Sequence, residues 1–186
     1  RAAQRADVRS LQRLRQSVVA KDRRLGARRG DEVAALLATV DAQLDAARRL
    51  RLARDQWKLR QPAYRLYADG IDPTLDLLDD AAGPLEDIKA MAGPDPEKLA
   101  ALDERLIRER YRLAGIRAPE TMGAVHALIQ SAWSLAANAT RLRLEAIRSG
   151  SLDVARQASS AAAGALMLSA RARADLAAAL STPDLQ

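Results

Sequence analysis

The sequence predicts an all-α fold: an antiparallel up-and-down bundle of about four principal long helices, one of them kinked, with a basic amphipathic helix at the N-terminus. Three observations carry this expectation. Alanine, leucine and arginine dominate the 186 residues, and apolar side chains recur at steps of three and four, the stripe a helix turns towards its neighbours. Aromatic residues make up only 3% of the chain and runs of β-branched residues are scarce, which argues against a sheet. The stretch from Pro119 to Leu180 reads as two long helices turned back on each other at Ser149-Gly150.

Taken in order, Ala2 to about Arg24 places Val8, Leu11, Leu14, Val18 and Val19 at helical spacing with arginines elsewhere on the surface. Arg23 to Gly30 reads as a basic loop, its two glycines being poor helix formers. The next helix starts at Asp31-Glu32, acids that suit the positive end of the helix dipole, and carries Val33, Leu36, Leu37, Val40, Leu44, Ala47 and Leu50 inward. Pro62 should kink it, and the helix is expected to end near Ala68. Asp72-Pro73 then restarts the chain as a cap and a first helical residue, and Gly83-Pro84 marks a second kink or a short break.

Ala92 to Pro96 holds two prolines and a glycine in five residues, which ends one helix and caps the next. Leu99, Leu102, Leu106, Leu113 and Ile116 make the following seam. Val125, Leu128, Ala132, Leu135, Ala139, Leu142 and Ala146 make the one after it. The last helix carries small residues from Ala158 to Ala165. Gly164 costs about 1 kcal/mol of helix propensity relative to Ala, which points to a tight crossing there. The expected organisation is a basic helix and loop over 1–30, the bundle over 31–181 and a tail over 182–186. No fixed-period repeat supports a solenoid.

The chain has no cysteine, which removes disulfides, thiolate metal sites and thiol nucleophiles. It begins with Arg1, which fits a processed or anchored protein and gives a lean towards an extracytoplasmic piece of a larger one. Within it, no apolar run approaches the roughly 20 residues needed to span a bilayer.

The net charge of +6 is concentrated in the first thirty residues, where ten basic side chains face only Asp7 and Asp22. Arg9, Arg13, Arg23, Arg24, Arg28 and Arg29 are therefore the candidate anion-binding residues, for nucleic acid, an anionic membrane surface or an acidic partner. A solvated helix face is the plainer explanation. The segment also lacks the aromatic interleaving that stacks single-stranded bases.

His126 is the single histidine, and Gly123 stands where a Glu-x-x-His metal motif would need its carboxylate, so no metal site is expected. The acids at Asp69, Asp72, Asp76, Asp79, Asp80, Glu86 and Asp87 lack the spacing of a calcium loop. Trp57, Tyr64, Tyr67, Tyr111, His126 and Trp133 form the candidate ligand-binding set, because aromatics with polar handles near helix kinks can line a small pocket. Bulky core filling is the competing explanation.

No glycine-rich phosphate cradle and no Ser/His/Asp grouping is present, so neither enzyme activity nor a cofactor is expected. The expected function is a non-catalytic module that binds a protein partner or a second copy of itself. The alternatives are a sensory domain for a small-molecule ligand, and an anionic-polymer or membrane-surface binder acting through residues 1–30.

Overall fold

The computed structural model describes residues 2–26, 30–93 and 95–184. They are helical almost throughout and contain no strand, so the all-α expectation holds. The helices are α1 (Val8–Arg24), α2 (Gly30–Asp80), α3 (Ala82–Lys89), α4 (Pro96–Gly115), α5 (Gly123–Ser149) and α6 (Leu152–Leu180), with a single 3₁₀ turn at Glu120–Met122 before α5.

Two expectations about α2 are corrected. The helix does not end near Ala68 or restart at Pro73; it runs 51 residues through both Pro62 and Pro73. Each proline removes one ladder hydrogen bond, from the carbonyls of Lys58 and Asp69, and costs about 3 kcal/mol. Both carbonyls belong to exposed residues, where water can replace the lost donor. Tyr64, Tyr67, Ile71 and Leu75 are all buried on the same helix, and at roughly 1.5–3 kcal/mol per large apolar side chain their burial outweighs the loss. Along α2 the inward positions 40, 44, 47, 50, 54, 57, 61, 64, 67, 71, 74 and 78 advance by about 3.5 residues a step, as in a coiled-coil seam.

The interruption comes at Ala81 instead and is one residue long. Pro84 lacks the N–H that would have bonded to the Asp80 carbonyl. The neighbouring bonds survive, Ala81 N–H donating to Leu77 O at 3.0 Å and Leu85 N–H to Ala81 O at 2.9 Å.

The described residues before Pro62, together with those after Ser181, form one compact unit, and Pro62–Ser181 forms a second. In the first unit α1 lies on the N-terminal part of α2 through Leu11, Leu44 and Ala47, with Ala2, Ala3 and Val8 against them. Asp7 caps α1 by accepting from Ser10 N–H at 3.0 Å, which holds its carboxyl below the usual aspartate range. Arg15 donates to Asp41 Oδ1 at 2.7 Å. Arg54 gathers the segments on either side, donating to Pro183 O at 3.0 Å, Asp184 Oδ1 at 2.7 Å and Gln4 O at 3.4 Å.

The second unit is built on the hairpin of α5 and α6. Gly150 ends α5 in the left-handed conformation (φ 69°), its N–H returning to Ala146 O at 2.9 Å, and Ser151 caps α6. The interface is lined by alanine, with Ala132, Ala136 and Ala139 on α5 and Ala158, Ala162 and Ala165 on α6. A Cβ on Gly164 would lie 2.9 Å from Leu135 Cδ1, so the tight crossing expected there is present. Leu85, Ile88, Leu99 and Leu106 from α3 and α4 complete the core. Asp95 opens α4 by accepting from Glu97 N–H at 3.0 Å, with Pro96 at the first helical position.

Candidate functional site

The second unit brings together three of the six aromatic-set residues. α2 presents Tyr64 and Tyr67 on its buried face, one turn apart, with 8% and 4% of their surfaces exposed. Tyr64 Oη meets Thr121 Oγ1 at 2.9 Å, and Tyr67 Oη meets His126 Nδ1 at 3.1 Å. The Tyr67 and His126 rings stand edge to face, their centroids 5.9 Å apart. On the far side of the imidazole, Nε2 lies 3.0 Å from the Gln130 side-chain amide, one turn along α5.

Burial pushes the Tyr67 phenol up to about 12 and pulls His126 below its usual value, so both are neutral near pH 7. The imidazole tautomer sets the direction of both bonds: with the ring proton on Nδ1, that N–H donates to Tyr67 Oη and Nε2 accepts from the Gln130 amide. The resulting chain of Tyr67, His126 and Gln130 holds α2 to α5. No carboxylate joins it, and no group of His, Asp and Glu among the described residues is arranged to hold a metal ion.

The other three members lie elsewhere. Tyr111 is 79% exposed on α4. Trp133 packs half-buried against the alanine-lined core, two turns along α5 from His126, with its Nε1 buried and unpartnered. Trp57 is half-buried in the first unit.

Of the candidate anion-binding arginines, Arg9, Arg13, Arg23 and Arg24 are exposed on α1, and Arg13 donates to Ser10 Oγ at 3.2 Å. Arg28 and Arg29 lie outside the described residues. The acidic cluster is drawn partly into ion pairs within the second unit. Arg173 Nε donates to Asp79 Oδ1 at 2.9 Å, and Arg105 Nη2 to Asp80 Oδ2 at 2.6 Å.

Two features were not expected from sequence. Shallow grooves of about 270 Å³ each flank Arg173, one lined by Asp69, Asp72, Leu75, Leu176 and Leu180, the other by Leu78, Ala82, Leu85 and Leu166. The second feature is a basic outward face on α2 between residues 48 and 60, legible as arginines and a lysine set around Leu52 and Leu59. No described helix is long and apolar enough to cross a membrane. No protein-family model, curated protein or solved structure matches the chain.

Proposed function

We propose that this chain is a non-catalytic helical interaction module, whose exposed helix faces bind a protein partner or a second copy of the chain. The observation that carries this reading is the set of exposed leucines in the first unit. Among its described residues Leu11, Val40, Leu44, Ala47 and Leu50 are buried, while Leu14, Leu25, Leu36, Leu52 and Leu59 stand 49–83% exposed. Scattered exposed leucines are ordinary on a large domain; in a unit this small, five of them leave helix faces on which a partner can bury apolar surface. The polar groups with strong partners, Tyr67 with His126 and Thr74 with Glu109, join helix to helix and support a scaffolding role.

A small-molecule sensory reading draws on the grooves beside Arg173. They are shallow, and ligand sites generally enclose most of the ligand. Sedimentation velocity combined with cross-linking and mass spectrometry tests the main reading. Self-association or a reproducible cross-linked partner is expected; a chain that stays monomeric and cross-links to nothing overturns it.

A further inference from the structure

Between residues 48 and 60, α2 carries six basic side chains against a single acid, Asp55. Three of the six have partners: Arg48 with Asp45 at 3.2 Å, Arg51 with Asp55 at 4.0 Å, and Arg54 with Asp184 at 2.7 Å. Arg49, Lys58 and Arg60 are exposed and meet no acid among the described residues. Among these charges stand Leu52 and Leu59, 59% and 83% exposed and one heptad apart, hence on one face of the helix. By helical geometry Arg48 and Asp55 flank the row on one side with Arg51 and Lys58 beyond them, and Arg49 and Arg60 stand on the other. Leu50 points away from it and is buried. The whole face lies in the first unit.

The shape and sign of the face select its occupant. Asp55 and Gln56 fall between the two leucines, so the apolar row is one residue wide. A helix that lies in a lipid surface needs a broad apolar face. A single file of leucines seven residues apart suits another helix, and the methylene stems of Lys58 and the arginines widen the contact on either side. Apposing the same face of a second copy would set positive edges opposite positive edges, which is disfavoured.

We propose that the outward face of α2 at Leu52 and Leu59, edged by Arg49, Arg51, Lys58 and Arg60, docks an amphipathic helix of a protein partner whose own leucine row is edged by Asp and Glu. This rests on the reading of the chain as an interaction module, and narrows it to one face and one sign of charge.

Two synthetic helical peptides test it against the whole chain by fluorescence anisotropy, identical in their leucine heptads but edged throughout by Glu or throughout by Lys. The Glu-edged peptide should bind at least about tenfold more tightly, and more weakly as salt is raised. Leu52→Ser with Leu59→Ser should lower that affinity about tenfold, with helix content by circular dichroism unchanged because both side chains are exposed. Lys58→Glu with Arg60→Glu should shift the preference towards the Lys-edged peptide. Equal binding of the two peptides, binding unaffected by both double variants, or leucine-dependent binding to phosphatidylglycerol vesicles in place of the Glu-edged peptide would each overturn the proposal. If both double variants bind the Glu-edged peptide like the parent chain, the docking face is wrong while the broader reading stands; a parent chain that neither self-associates nor cross-links to a partner removes the broader reading.

Discussion

Gly164 of α6 faces Leu135 of α5 so closely that a Cβ on the glycine would lie 2.9 Å from Leu135 Cδ1. The obstacle is the tip of a half-buried, flexible side chain, which can turn aside. Alanine would also recover about 1 kcal/mol of helix propensity. Gly164→Ala should therefore change stability by less than about 1 kcal/mol, whereas Gly164→Ile, which cannot be cleared by one methyl moving, should cost about 1–3 kcal/mol. Urea unfolding of the three proteins checks both values.

Gly93 and Gly150 both adopt left-handed backbone, at φ +72° and +69°, but their surroundings differ. At Gly150 nothing lies within 4 Å of the position a Cβ would take, so Gly150→Ala should cost only the backbone strain, about 1 kcal/mol. At Gly93 the Arg143 guanidinium occupies the space, with Cζ 2.8 Å and Nε 2.9 Å from the Cβ position. Gly93→Ala should lose more than Gly150→Ala, and thermal unfolding of the pair gives the order directly.

The neutral Tyr67–His126 contact gives stability a defined pH dependence. Burial lowers the His126 pKa, so the unfolded chain takes up that proton first as the pH falls. The contribution is intact above the unfolded value of about 6.5 and declines as the pH drops from there through the lowered folded value. His126→Gln should flatten this limb in a series of melting curves between about pH 5 and 8. At the alkaline end the sign reverses: Tyr67 is raised to about 12, so its contribution persists below the unfolded value near 10 and is lost between the two. Ultraviolet titration should show one late-ionising phenol that is missing in Tyr67→Phe.

Thr74 is fully buried and donates to Glu109 Oε1 at 2.6 Å, the Glu109 side chain being only 14% exposed. Thr74→Val preserves the shape and removes the donor. It should cost about 1 kcal/mol, the usual net worth of a hydrogen bond, because Arg112 Nε lies 4.0 Å from the same oxygen and keeps it paired. Guanidinium unfolding measures it.

Much of the second unit is legible from local pattern. Gly150 and Ser151 mark the turn between α5 and α6 in two residues, and Asp95-Pro96 marks the start of α4, because caps and breakers act within a single turn. Gly164 reveals the close crossing through its own poor helix propensity. The inward face of α5 is only half legible. The spacing sets Leu128, Leu135 and Leu142 on the seam with the alanines, yet they are half-buried at its margins while Ile129, Ala136 and Ala139 are fully covered. Hydropathy ranks leucine as the more inward residue, but helices this close leave room only for a methyl group along the line of contact.

What the sequence hides depends on distance along the chain. No spacing rule places Tyr67 beside His126, 59 positions away. Pro62 and Pro73 signal breaks because propensity is local, and it is the buried run Tyr64 to Leu78 that overrides them. The basic face around Leu52 is masked when charge is counted over thirty residues at a time, where Asp31, Glu32, Asp41 and Asp45 offset it.

The methyl-lined contact between α5 and α6 has a kinetic consequence. Alanine has no rotamer to freeze, so pressing Ala132, Ala136 and Ala139 against Ala158, Ala162 and Ala165 forfeits almost no side-chain freedom. The two segments are neighbours in sequence, and the loop that must close between them is short. This hairpin should be in place at the folding transition state, so substitutions along it slow refolding, while those at Leu99 or Leu106 mainly hasten unfolding.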